Sequence, residues 1–380
     1  MNKLLIFLVG VYILICPFYV FESGVPQPAH YVLAIAFVVM MFSGGFKSII
    51  KEKIVLYLLF FVAVTFVVNL VYYVTNYGNN QAYIFLLHIA YYIFNCLFFI
   101  LFLGVIKQGS SEHNIDTIIL FCLISLVIQL ILAVLGINKM TQYIVTGRSV
   151  LYFNNPNQLA YFVLLVLSLF TIFPSKFRKN TFIVLLVILA AVALALIASS
   201  RIVLFGVIIL ALLLVYQLGI KFKLKYWAII SLVGLIVGSF IYKTDFIQKR
   251  ITLIDIRNHR QDTTGVSELE IRGYDRIWLH PKNLVYGAGE GNYERFLSHQ
   301  KGELHSGLGT VFFSYGIVGL LVFALFFYKL IAPNLFYNLL LLSPILLYNL
   351  AHQGFRTPLF WAVLAAVYLI SREKLCKNSQ

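Results

Sequence analysis

The feature that most narrows the choice of fold is a succession of apolar segments of membrane length that fills most of the chain. A segment that crosses a bilayer needs about 17–25 predominantly apolar residues, and it must be helical, because hydrocarbon offers no partner to an open backbone group. Twelve stretches are candidates: roughly 4–20, 30–46, 54–74, 83–106, 117–137, 157–174, 182–198, 202–218, 226–242, 309–328, 335–351 and 358–370. Composition agrees, since hydrophobic residues make up 61% of the chain and charged residues 11%, against about 25% charged in soluble domains. The expected fold class is an all-α polytopic membrane protein of about 12 transmembrane helices. One bundle absorbs nearly the whole length, so the usual division of 380 residues into soluble domains does not apply. The expected organisation is a bundle of spans one to nine over residues 1–242, one large loop over 243–308, and spans ten to twelve with a tail over 309–380. The first span is expected to stay uncleaved, because the CPFYVFESG that follows it is too bulky for a cleavage site.

Orientation follows from the short loops. With a cytoplasmic N-terminus, one side collects 15 Lys and Arg: Lys3, Lys47, Lys51, Lys53, Lys107, Lys176, Arg178, Lys179, Lys221, Lys223, Lys225, Lys329, Arg372, Lys374 and Lys377. The short loops opposite hold only Lys139, Arg148, Arg201 and Arg356. This bias places both termini in the cytoplasm and the large loop outside, which in a Gram-negative cell is the periplasm. The net charge of +15 is then a topogenic signal and a contact with the cytoplasmic leaflet of the bilayer. It does not point to nucleic acid.

The reactive groups concentrate in the large loop, which holds ten of the 29 Lys and Arg and nine of the 14 Asp and Glu. Binding and catalysis favour loops carried on a rigid scaffold. No carboxylate lies inside any of the twelve candidate spans, whereas proton-coupled transporters and channels usually keep intramembrane carboxylates. His88 is the one ionisable side chain deep in a span, and its plainest reading is a histidine hydrogen-bonded to a neighbouring helix. Cys16, Cys96 and Cys122 fall in spans and Cys376 in the tail, with no CxxC pair, so neither a disulfide framework nor a metal site is implied.

Four places combine polar chemistry with the outer membrane face. In RSVLYFNNPNQLA, Arg148 precedes Asn154, Asn155, Pro156 and Asn157. Pro156 biases Asn155 away from helix and Asn157 is a plausible N-cap, so the asparagines serve either to start a helix or to contact a ligand. Arg201 follows Ser199 and Ser200 in a very tight turn between two spans, where it either snorkels or binds an anion. Arg272 and Arg276 are four residues apart, hence on one face if ELEIRGYDRIW is helical, and two guanidiniums on one face suit a pyrophosphate. The competing reading is local pairing of Arg272 with Glu268. Gly287, Gly289 and Gly291 have GxGxG spacing, which implies only a tight turn close to a ligand or a helix. Finally, His352, Gln353 and Arg356 return to the same side before the last span.

A specific resemblance emerges where the loop ends. His305 and Ser306, nine residues, then Gly316 and, two residues later, Gly319 match a pattern of the O-antigen ligase and polymerase superfamily. Arg276 followed by ten residues and Gly287 resembles a pattern described in O-antigen polymerases of the Wzy type. NNPNQLA and the SSR that ends in Arg201 are similar to further features, and the resemblance covers about residues 145 to 320. It implies a C-type glycosyltransferase fold that acts on undecaprenyl-diphosphate-linked oligosaccharide at the periplasmic face of the inner membrane. The acceptor hydroxyl attacks the anomeric carbon and undecaprenyl diphosphate leaves. No cofactor or metal is implied, so fixed cations would meet the leaving group: Arg201, Arg272 and Arg276, with Arg148 and Arg356 as further candidates. His305 would orient or deprotonate the acceptor hydroxyl, unless it only caps the helix that follows. The resemblance also allows for a chain-length regulator as a protein partner. Leu320 stands where the ligases tend to have Gly, Thr or Tyr, which favours a polymerase over a ligase that transfers to lipid A-core. A transporter is the alternative outside the family.

Overall fold

The computed structural model describes residues 2–22, 24–42, 45–107, 111–139, 148–218 and 266–378. The candidate span at 226–242 and the start of the large loop, 243–265, lie outside the described residues. The described residues contain helices and no strand. In chain order these are α1 Asn2–Ile15, α2 Pro28–Phe42, α3 Gly45–Ile49, α4 Lys53–Thr75, α5 Tyr83–Lys107, α6 Ser111–Val134, α7 Pro156–Ile172, α8 Thr181–Ala198 and α9 Arg201–Gln217. The polar segment then carries α10 Glu268–Ile271, α11 Asp275–Leu279 and α12 Asn283–Tyr286. Three long helices close the chain: α13 Gly307–Ile331, α14 Leu335–Ala351 and α15 Pro358–Asn378. Five stretches are long and apolar enough to cross a membrane, namely α4, α5, Glu112–Val134, α8, and Gly307–Ala351, which joins α13 to α14. Shorter apolar helices are Lys3–Ile15, Pro28–Phe42, α7, α9 and Pro358–Arg372. The chain is therefore a helical protein built for a membrane.

Burial sorts the helices into a centre and a periphery. A helix that is apolar all round belongs in the interior. Helix α7 buries every residue from Leu159 to Ile172, α5 buries a continuous run from Phe98 to Ile106, and α15 buries Pro358 through Leu369. Around them stand helices whose outer faces carry exposed Val67, Leu70, Leu120, Leu186, Phe205 and Leu212. Such faces suit hydrocarbon, which satisfies apolar side chains without burial inside the protein.

One end of this bundle is finely shaped. Asn155 is extended (φ −152°, ψ 158°) and its side chain accepts a hydrogen bond from the Gln158 N–H, which makes it the N-cap of α7. Pro156 takes the first helical position, where its missing N–H costs nothing. The cap therefore lies two residues before Asn157, because proline is tolerated at the first turn and fixes where that turn begins. Asn155→Ala is expected to lower stability by about 1 kcal/mol, the usual value of an N-cap, read as a shift in thermal unfolding in detergent.

The polar segment docks on this end through backbone. Helix α13 is interrupted at Gly316 (φ 64°, ψ −167°). Just before the break, Phe313 and Ser314 present carbonyls that accept from the N–H groups of Ala288 and Gly289, at 3.0 and 2.8 Å. A small core of Ala288, Phe296, Leu304 and Phe313 seals the joint. The glycine-rich turn thus brings the backbone against a neighbouring helix.

Candidate functional site

Where the polar segment meets the bundle lies a cavity of about 310 Å³. Its wall is built by the start of α7 with Asn155, Asn157, Gln158 and Tyr161, and by the turn between α14 and α15 with His352, Gln353 and Arg356. The polar segment contributes Glu303 and His305, the α1–α2 connection Gln27, and the first turn of α2 His30. Two rings stack along one side, Tyr161 on Tyr348 at 4.0 Å with planes 8° apart, and His352 continues the row 4.8 Å from Tyr348. The rings cover one another's faces, so the cavity meets their edges together with amide side chains that can hydrogen-bond a polar ligand.

Six residues singled out from the sequence line this cavity: His305, Asn155, Asn157, His352, Gln353 and Arg356. Ser306, not His305, caps α13, since its side chain accepts from the Gly309 N–H at 2.9 Å. The His305 backbone N–H donates to the Arg272 carbonyl at 2.8 Å, and the Gln300 amide nitrogen lies 2.6 Å from its Nε2. An amide NH₂ can only donate, so this nitrogen accepts and the proton of the neutral ring sits on Nδ1. Burial, reinforced by Arg272, Arg276 and Arg356 and opposed by Glu303, lowers the affinity of His305 for a second proton. His352 is lowered further, to about 4, by burial and then by Arg272, His305 and Arg148.

The other arginines take different places. Arg148 stands one hydrogen bond behind the cavity, with Nη2 donating to Asn157 Oδ1 at 2.9 Å and Nε to the Ala198 carbonyl at 3.2 Å. Arg201 is exposed at the start of α9 and is not part of the cavity wall. Arg272 and Arg276 do not share a helix face, because Gly273 (φ 80°) separates α10 from α11. Arg272 donates to the Ala351 carbonyl and lies 3.4 Å from Glu268, as the local-pairing reading expects. Arg276 is only 1% exposed. Its Nε donates to Ser298 Oγ at 2.8 Å, its Nη2 to the carbonyls of Gln300 and Gly302, and its plane lies over the Tyr293 and Phe296 rings. It is a brace that holds the 298–302 turn, and through Gln300 it holds His305.

Two carboxylates that the sequence reading passed over organise the site. Glu290 is fully buried, with Arg356 Nη2 at 2.5 Å from Oε1, the Tyr315 hydroxyl donating to Oε2 at 2.7 Å, and His88 Nδ1 at 3.9 Å. Its backbone N–H donates to Asn69 Oδ1 at 2.7 Å. Burial pushes its carboxyl up, but His88, Arg356 and the Arg356 and Tyr315 hydrogen bonds outweigh this and hold it at about 2. Glu303 takes the other end of the same guanidinium, pairing with Arg356 Nη1. His88 is hydrogen-bonded as expected, but its partner is the Tyr293 hydroxyl of the polar segment, at 2.8 Å, and not another membrane helix. The one sequence signal for Glu290 is its place between Gly289 and Gly291, where the chain can approach α4 and α5 closely. Comparison of the chain with protein-family models and with curated proteins returns no match.

Proposed function

We propose that the chain is a glycosyltransferase of the O-antigen polymerase type, which joins an undecaprenyl-diphosphate-linked glycan to the acceptor sugar of another lipid-linked repeat unit. The observation that carries this reading is the convergence of His305, Arg356, Asn155 and Asn157 on one cavity. These residues come from three distant parts of the sequence, two of them within motifs that resemble the superfamily. The charge bias of the short loops supports a periplasmic position for this end of the bundle.

In this reading the acceptor sugar lies in the cavity with amide side chains on its hydroxyls. Arg356 is shared by Glu290 and Glu303, so the positive charge that meets the diphosphate comes from Arg148 behind Asn157 and Arg272 behind His305. Such fixed charge costs no reorganisation when the leaving group takes up its electron pair. His305, braced by Arg276 through Gln300, presents Nδ1–H toward the reacting sugars and fixes their orientation. Arg272 supports His305 from behind.

The test is a surface-polysaccharide ladder from cells lacking the gene, complemented with wild type or His305→Ala at matched membrane levels. Cores bearing a single repeat unit, with no ladder in the deletion or the mutant, are expected. Cores without any repeat while lipid-linked polymer accumulates would make the chain a ligase acting on lipid A-core. An unchanged ladder would remove both activities and leave transport.

A further inference from the structure

A transfer of this kind releases a proton from the acceptor hydroxyl, and the cavity has to take it up. Four groups on its wall could do so: His30, His305, His352 and Glu303, the last being the only carboxylate among the described lining residues. His305 already uses Nε2 as the acceptor for Gln300. A second proton on its ring would set a cation beside Arg272, Arg276 and Arg356. His30 Nδ1 is likewise occupied, accepting from the Gln27 N–H at 3.0 Å. His352 would become a cation facing Arg272 and Arg148.

Glu303 differs in three respects. Its side chain is 34% exposed, whereas that of Glu290 is sealed at 0%, so of the two carboxylates on Arg356 only Glu303 is within reach of a substrate. Arg356 engages its Oε2, and no hydrogen bond among the described residues holds its Oε1. Charge then decides. Arg356 stands between Glu290 and Glu303, and Arg276, which also faces Glu303, is offset by the adjacent Asp275, so the cluster carries one excess negative charge. A proton on Glu303 leaves a balanced Arg356–Glu290 pair, which Tyr315 and Asn69 continue to hold.

Resting on the function proposed above, we propose that Glu303 is the proton acceptor of the transfer and that Glu290 is a positioning residue that keeps Arg356 in place while Glu303 changes charge. In the step, the acceptor oxygen bonds to the anomeric carbon as its proton passes to the Glu303 carboxylate. The bond from that carbon to the diphosphate oxygen breaks, and its electron pair leaves with the diphosphate. A positioned base of this kind is worth about 10²–10⁴ in rate.

The experiment uses the full chain in lipid nanodiscs and the undecaprenyl-diphosphate-linked repeat units that accumulate in cells lacking the gene. Glu303→Gln keeps the size and a hydrogen bond to Arg356, and is expected to lower kcat at least about 100-fold with KM changed only a few-fold and the acidic limb of the pH profile gone. Formate is expected to restore part of the activity of Glu303→Ala, which a purely structural role would not allow. Glu303→Gln with more than a tenth of the wild-type kcat and an intact acidic limb would overturn the assignment while leaving the polymerase reading in place. If Glu303→Gln does not fold, Glu303→Asp decides. It keeps the charge on Arg356, so a lowered kcat with a displaced acidic limb supports the proposal and a wild-type profile overturns it. Absence of chain growth with wild type itself would remove the proposed function and this residue's role together.

Discussion

Glu290→Gln is expected to unfold with a stability about 3–5 kcal/mol below wild type, the usual cost of removing one partner of a buried ion pair. The substitution keeps the volume but leaves the Arg356 guanidinium in the protein interior with a single carboxylate at its outer end. It also leaves one oxygen where Glu290 uses two to accept from Arg356 and the Tyr315 hydroxyl. Glu303→Gln, which removes the half-exposed partner, should cost no more than about 1 kcal/mol, so thermal unfolding of the two variants in detergent separates the buried end of the network from its open end. Equal unfolding of both would show that burial of Glu290 contributes nothing. The acid response has a defined sign. The folded carboxyl is held at about 2 against an ordinary value of 4.5, so its contribution is complete above pH 4.5 and is lost as pH falls toward 2. The stability of Glu290→Gln should vary less than that of wild type across that window.

Gly316→Ala should be nearly as damaging. The backbone there, at φ 64° and ψ −167°, lies in a region that only glycine occupies without strain, at a cost of about 1–3 kcal/mol for other residues. A Cβ would also stand 2.6 Å from the Gly287 nitrogen and from the Val285 carbonyl oxygen. Neither atom belongs to a flexible side chain, so the polar segment itself would have to withdraw from α13. The expected result is a chain that fails to accumulate in membranes, or one that accumulates with the 285–289 region open to protease. Wild-type levels and a closed segment would show that the interruption in α13 is not needed.

Much of the scaffold was legible because membrane length is a one-dimensional signal. Eleven of the twelve candidate stretches are helices among the described residues, with shifts at the ends such as α6 beginning at Ser111 and α15 running on to Asn378. The site was legible only in part. His305 stood out by its spacing to Gly316 and Gly319, and Asn155, Asn157 and Arg356 by polar chemistry at the outer membrane face. Glu290 did not, since the side chains that close around it come from far away: Asn69 is 221 residues distant in sequence. Whether a carboxylate is solvated or sealed depends on such partners, and spacing does not report them. Arg276 was misplaced for the converse reason. Arginine next to a predicted phosphate site suggests a ligand, yet the carbonyls of Gln300 and Gly302 and the Ser298 hydroxyl satisfy it internally. Gly273, with its positive φ, is the point at which the expected helix is interrupted.

The backbone pairing of Ala288 and Gly289 with Phe313 and Ser314 has a mechanical meaning. Together with the Tyr72 hydroxyl on the Gly287 carbonyl and the His305 N–H on the Arg272 carbonyl, it makes the polar segment a continuation of the helical frame. The distance from His305 and Glu303 to Arg356 is then set by how α13, α14 and α15 pack, as the bore of a cast fitting is set by its mould. A substitution deep between those helices can change the spacing of the cavity's polar groups without touching any of them.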